Sequence, residues 1–363
     1  MTKGKQDPRL PWIALNNIPN LATAVIPQLV ERFGGARQVC EADARALEAC
    51  EFLTPAALKH VLEERGDWDR ARAELDFALA AGAEPLTPDS AQYPYPLTRI
   101  PDPPPVLYVR GALPADYDRA VAIVGTRKCS GYGRDMAREL GGALAGAGIS
   151  VISGLAHGID TAAHQGAVRA GGHTLAVLGS GLNVIYPSVN QRLAQEILDA
   201  GGGLASEFPM DTGPEKWNFP RRNRIVSGLC RGVVVIEAPD KSGALITAAM
   251  AAEQGRDVFA VPGNVKNRLN AGPHRLIREG ACLVESVDDI LDALNFAPRQ
   301  TTLELGPRLT GDEELFYYVI WAAQRVQVLG RRRCGAPASR ALPALTMLEM
   351  KGLVRQLPGK LFV

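Results

Sequence analysis

Between Lys216 and Arg224 the chain reads KWNFPRRNR: four cations and two large aromatics around one proline, with no acid before Glu237. Arg231 brings the stretch 216–231 to five cations and no anion. Guanidinium groups make forked, two-bond contacts to phosphate oxygens. Aromatic rings beside them offer stacking faces worth about 1–3 kcal/mol per unpaired base. The chemistry this suggests is the holding of a run of phosphates, since a single nucleotide needs fewer cations. A structural reading competes with it, in which Trp217 and Phe219 cover the core and the arginines bind carbonyls at helix ends. Taken alone, the segment supports both equally.

Other chemistry is poorly represented. In HGIDTAAH, Asp160 and His164 stand four apart with His157 just upstream, three potential metal ligands in one turn and helix. No partner cluster exists, because the remaining histidines are His60, His173 and His274. Asp160 also suits a helix N-terminus, so a structural role is favoured and no metal is expected. There is no HExxH, no nucleophile elbow and no evident acid–base carboxylate pair. Cys40, Cys50, Cys129, Cys230, Cys282 and Cys334 form no CxxC, which argues against a zinc knuckle and a secreted disulfide framework.

The elements that must position the basic segment lie on either side of it. VLYV, AVAIVG, ISVISG, TLAVLGS, GLASEF, GVVVIEA, DVFAVPG and ACLVES are short, apolar and β-branched, the mark of strands buried on both faces. Ala/Arg/Leu-rich helical stretches between them are long enough for right-handed crossovers. The expected fold is α/β, a doubly wound, mostly parallel sheet with extra strands at its edges. In such a sheet, ligands bind beyond the carboxyl ends of the strands. Gly125-Thr126-Arg127, Ser153-Gly154, Gly179-Ser180-Gly181 and Pro262-Gly263-Asn264 fall there. Strand-to-helix turns need glycine anyway, but four at one edge with Arg127 beside the first point to an anionic ligand. A dinucleotide is disfavoured: AIVGTRKCSGYG lacks G-x-G-x-x-G, and ISVISG ends without the ribose-binding acid. A P-loop is also missing.

Three domains are expected. Residues 1–84 read as a small helical domain of four or five helices, resembling a SAM or helix–hairpin–helix module. Asn20 and Ala22 stand where hairpin glycines would be, which favours packing over phosphate binding. Leu21, Val25, Leu29 and Phe33 mark one helix that Gly34-Gly35 ends. Eight prolines between 85 and 105 read as a stiff connector into the α/β domain, 85–296. Residues 297–363 read as winged-helix-like, with Arg331–Arg333 more readily a solvated surface than a phosphate contact. Net charge is only +1, so any case for a nucleic-acid partner must be local. No signal peptide or membrane span is evident, and a cytoplasmic location is expected.

The longer motifs resemble the DNA-processing protein A family (DprA, also called Smf). They run in order from YPYPLTRIPDPPPVLYVRG through AIVGTR, SGLAHGIDTAAHQGAV, LGSGLNVIYPSVN, SEFPM, NFPRRNRIVSGL, VVVIEAPDKSGALITAAMAAEQGRDVFAVPG and LIREGA, roughly residues 90–295. The resemblance implies an extended Rossmann-like domain, homodimers and binding of single-stranded DNA. It also implies delivery of that DNA to the recombinase RecA in natural transformation, with displacement of single-strand-binding protein. No catalysis and no cofactor are implied. Gly125, Thr126 and Arg127 would hold phosphate, beside Ser153 and Gly154 at the next strand end. Lys216, Phe219, Arg221, Arg222, Asn223 and Arg224 would form the basic pocket. Ser188 follows Tyr186-Pro187 where some relatives carry Lys, a contact that Lys241 or Lys266 would replace. His274 stands where relatives often have Asn.

An enzyme is the main alternative, a Rossmann-like nucleotide N-glycosidase or phosphoribohydrolase. It needs a carboxylate at the sheet edge, for which Glu207 and Glu237 are the candidates ending core strands. An NAD-type oxidoreductase and a purely structural adaptor are further alternatives.

Overall fold

The β-branched runs become strands of one nine-stranded sheet. They are β1 (Glu84–Leu86), β2 (Leu107–Gly111), β3 (Ala120–Val124), β4 (Ser150–Ser153), β5 (Thr174–Val177), β6 (Gly203–Ser206), β7 (Gly232–Val235), β8 (Asp257–Ala260) and β9 (Cys282–Leu283). The spatial order is β1-β2-β6-β5-β4-β3-β7-β8-β9. Strands β3 to β9 run parallel, whereas β2 pairs antiparallel with β6, and β1 antiparallel with β2. This computed structural model describes residues 7–296, 311–313, 316–317, 326–327, 338–351, 353–354, 356–357 and 361–362. It divides into two compact units, Met1–Pro298 and Arg299–Val363.

Alternation along the strands sends side chains to two apolar layers. Val121, Ile123 and Val151 pack with Ala137, Leu140 and Ala163, from helices Gly131–Gly146 and Ile159–Arg169. Ala122, Val124 and Ile152 pack with Ile225, Val226 and Leu245, from helices Asn218–Gly228 and Gly243–Glu253. The N-terminal residues form six short helices rather than four or five, from Leu10–Asn16 to Trp68–Ala80. Gly34, at φ 82°, ends the helix Ile26–Phe33 in the left-handed region that glycine favours. These helices share one core with Tyr108 of β2, Leu204 of β6 and Leu193 and Ile197 of helix Gln191–Asp199. Backbone groups tie the seam as well: Met210 N–H donates to Glu74 at 2.9 Å, and Asn16 donates to the Glu207 carbonyl at 3.3 Å. The helices and the sheet are therefore packed as one body across residue 84.

The proline-rich stretch is not a connector. Pro85 sits in edge strand β1, where a missing N–H costs no ladder bond. Tyr93, Leu97 and Ile100 then fold into the core against Ile225 and Leu229, and the Tyr93 hydroxyl donates to the Pro104 carbonyl at 2.7 Å. Pro fixes φ but does not keep a neighbouring apolar side chain out of the core, and that burial decides the path.

In the C-terminal unit, the helix Ala338–Met350 accompanies a small antiparallel sheet in which Leu361–Phe362 lies between Val326–Gln327 and Gln356–Leu357. Arg331–Arg333 lies outside the described residues. Among the described residues no helix is long and apolar enough to cross a membrane, and no cluster of metal-ligating side chains occurs.

His164 is fully buried on the helix Ile159–Arg169, with Nδ1 2.8 Å from the Thr174 hydroxyl. Burial, reinforced by the Arg222 charge, pushes its pKa down to about 3. The unfolded chain therefore binds a proton at about pH 6.5 that the folded chain refuses. Stability should fall as pH drops from about 6.5 toward 3, and urea melts of His164→Gln should lack that part of the fall. An unchanged pH slope in the variant would show that His164 is not the group titrating.

Candidate nucleic-acid interface

The winding direction reverses at β3 and β7, so the loops that follow them diverge and open a crevice at the carboxyl edge of the sheet. A cleft of about 660 Å³ occupies it. Its walls bring together nine of the expected residues: Gly125, Thr126, Arg127, Gly154, Lys216, Phe219, Arg222, Asn223 and Lys241.

The loop after β3 is held from beneath. Thr126 N–H donates to the Glu237 carbonyl at 2.7 Å, while the Glu237 carboxylate accepts from Ser130 N–H at 2.8 Å and the Ser130 hydroxyl at 2.6 Å. The Ser130 hydroxyl in turn accepts from Gly133 N–H, capping the helix Gly131–Gly146. Gly158, at φ 81°, lets the next loop approach Thr126 and Arg127 so closely that a Cβ would strike their backbone. With its root fixed, Arg127 projects into solvent, and its guanidinium lies 4.8 Å from the centroid of the Phe219 ring. Phe219 is half-buried, and its edge rests where a Cβ on Gly179 would be. Its ring centroid is 5.7 Å from that of Tyr186. Trp217 is 70% exposed and covers no core. Lys216, Lys241 and Arg127 are exposed, and none forms an ion pair among the described residues.

The remaining arginines of the basic segment have other tasks. Arg222 is buried and donates to the carbonyls of Gly154 and Val177, closing the ends of β4 and β5. Desolvation lowers its pKa to about 10, opposed by the nearby Asp160 carboxylate. It remains a cation and forms the floor of the cleft. The absence of a side chain at Gly154 makes room for this, because a Cβ there would overlap the guanidinium in its present place. Asp160 accepts from the N–H groups of Gly154 and Ala156 at 3.2 and 3.3 Å, and burial raises its pKa. It braces the loop that Arg222 closes, which accounts for an acid at this helix start.

Arg224 and Ser153 are committed elsewhere. Arg224, 6% exposed, donates to both Glu207 oxygens at 2.7 and 2.9 Å and to Asp102 at 3.0 Å. Burial works against its charge, but the two carboxylates more than compensate and raise its pKa. Arg221 is half-buried, donates to Glu207 at 2.9 Å and lies over the Phe208 ring. Ser153 is buried, with its hydroxyl donating to the Ile123 carbonyl at 2.6 Å. Lys266 stands exposed on the loop after β8, outside the cleft walls. Helical spacing explains the division. On the helix Asn218–Gly228, Phe219, Arg222 and Asn223 share the face toward the strand ends, while Arg221 and Arg224 turn toward Glu207. The carboxylates required by an enzyme are therefore occupied, Glu207 by two arginines and Glu237 by Ser130. His274 bonds Gly263 at 3.0 Å and holds the loop after β8.

Two features of the cleft escaped sequence reasoning. Tyr186 forms part of the aromatic wall, with no local signal beyond its place in a loop. The helix Gly243–Glu253 opens onto the cleft, with Ser242 as its N-cap and Gly243 unobstructed. The sequence Lys-Ser-Gly before an apolar run carries that cap signature.

A doubly wound sheet with a cationic, aromatic-walled crevice at its switch point defines a protein of the Rossmann-like class. The chain belongs to the DNA recombination-mediator protein A family, whose model matches residues 84–295, and the DprA winged helix domain matches 331–360. It is 42% identical to protein Smf of Escherichia coli over 289 residues, 75% of each chain. Its fold matches the structure of DNA processing protein A from Streptococcus pneumoniae with a TM-score of 0.67 and 35% identity, covering 80% of this chain and 98% of that one. A second match is DNA processing protein A from Helicobacter pylori, a structure described for its single-stranded DNA binding mode. That match has a TM-score of 0.52 and 28% identity, over 59% of this chain and 95% of the other.

Proposed function

We propose that this chain binds and protects single-stranded DNA in the cytoplasm and loads RecA onto it, in natural transformation and in DNA repair. In this reading it acts as a homodimer without catalysis or cofactor, and it helps RecA displace single-strand-binding protein. The observation that carries the DNA reading is the pairing of three uncommitted cations, Arg127, Lys216 and Lys241, with the half-exposed Phe219 ring in one cleft. Cations hold phosphates and the ring takes an unpaired base, which a duplex does not offer. Family membership and the Helicobacter pylori relative support the same ligand.

Fluorescence anisotropy with labelled single- and double-stranded oligonucleotides tests it. Single strands should bind more tightly, with a log–log salt slope of about 0.7 per phosphate contacted, near 2 for the three cations alone. In the same preparation, RecA should assemble faster on DNA coated with single-strand-binding protein. Salt-insensitive binding, or equal affinity for duplex, would overturn the DNA reading; unchanged RecA assembly would overturn the loading role.

A further inference from the structure

Beside the cleft lies a larger groove of about 990 Å³, between the start of helix Gly131–Gly146 and the helices Ile159–Arg169 and Gln191–Asp199. Arg127 belongs to both. A small hollow of about 20 Å³, walled by Arg127, His157, Tyr186 and Phe219, adjoins each of them. Five cations face the groove: Arg127, Lys128, Arg134, Arg169 and Arg192. Its one carboxylate, Glu196, is already taken by Arg192 at 2.8 Å. Lys128, Arg134 and Arg169 are exposed and form no ion pair among the described residues. In a chain of net charge +1 this concentration is local, and of the five only Arg192 forms an ion pair among the described residues.

We propose that a single strand seated in the cleft continues over Arg127 into this groove, where Lys128, Arg134 and Arg169 hold its phosphates. The inference rests on the cleft being a single-strand site. Shared Arg127 makes the two surfaces one continuous track, and a polyanion that enters the first gains Coulomb energy by following the second. The groove carries no Phe, Tyr or Trp among its walls and His157 is its one ring, so this part of the strand is held chiefly by backbone charge and read with little base preference. The cleft anchors a base, and the groove lengthens the footprint.

The test compares wild type with the triple variant Lys128→Gln/Arg134→Gln/Arg169→Gln on labelled oligothymidylates of about 4 and about 16 nucleotides. The longer strand should bind at least tenfold more weakly to the variant, with a salt slope smaller by about 2, three contacts at about 0.7 each. The short strand should bind both proteins alike, which also reports an intact cleft. An unchanged affinity and slope on the longer strand would overturn the proposal, including the case in which an acidic protein segment uses the groove. Equal proportional loss on both lengths would overturn it too, because the groove cations would then act on the cleft from a distance. If the wild type fails to retain the short strand, the slope on the longer one decides. Failure of the underlying reading looks different: wild type binds neither length, and the continuation falls with it.

Discussion

Glu207→Ala is expected to destabilise the protein by about 3–5 kcal/mol, the cost of leaving a buried cation without its partner. Glu207 is fully enclosed and receives both Arg224 and Arg221, and Arg224 would keep only the Asp102 carboxylate and the Arg221 carbonyl. Three segments meet at this cluster: the end of β6, the helix Asn218–Gly228 and the proline-rich stretch that carries Asp102. Losing it should loosen the very helix that carries Phe219 and Arg222 to the cleft. Glu207→Gln preserves shape and one acceptor, so it should cost less. Urea or thermal melts measure the difference directly. A loss below about 1 kcal/mol would mean that the cluster is a surface-type pair and that packing alone holds the helix. Enzymatic release of base from a nucleoside monophosphate, abolished in Glu207→Gln, would instead revive the hydrolase alternative.

Arg127→Ala is expected to weaken single-strand binding roughly ten- to hundredfold, the equivalent of about 1.5–3 kcal/mol for a charge-assisted contact. The loop at its root is fixed by Glu237, and its guanidinium lies over the Phe219 ring without an ion pair among the described residues, so thermal stability should remain close to wild type. The variant thus separates binding from folding, which the Glu207 substitution does not. Arg127→Lys keeps the charge and loses the forked geometry, and an intermediate affinity should result. Unchanged binding in Arg127→Ala would remove the cleft from the DNA path, however well the protein folds.

Arg127 was readable from its place: a cation directly after a buried apolar strand, at the edge where such sheets bind ligands. The same holds for the sheet, because strands buried on both faces write themselves as continuous β-branched runs. The basic segment was less legible. FPRRNR announces charge but not direction, and within one helix the arginines serve three masters: the strand-end carbonyls for Arg222, Glu207 and Asp102 for Arg224, and Glu207 with the Phe208 ring for Arg221. The proline-rich stretch misled for a related reason, since its prolines mark stiffness while Tyr93, Leu97 and Ile100 determine where it packs.

By itself, then, the sequence determined the α/β class, the family through its ordered motifs, and the place of Arg127 at the carboxyl edge of the sheet. These depend on residue types and periodicities along the chain. Only the tertiary structure decided which cations remain free for a ligand, since that depends on which carboxylates and carbonyls arrive from distant segments. Glu207, Asp102 and the carbonyls of Gly154 and Val177 claim two of the segment's arginines outright and most of a third. Arg127, Lys216 and Lys241 are left facing the cleft because no such partner reaches them among the described residues.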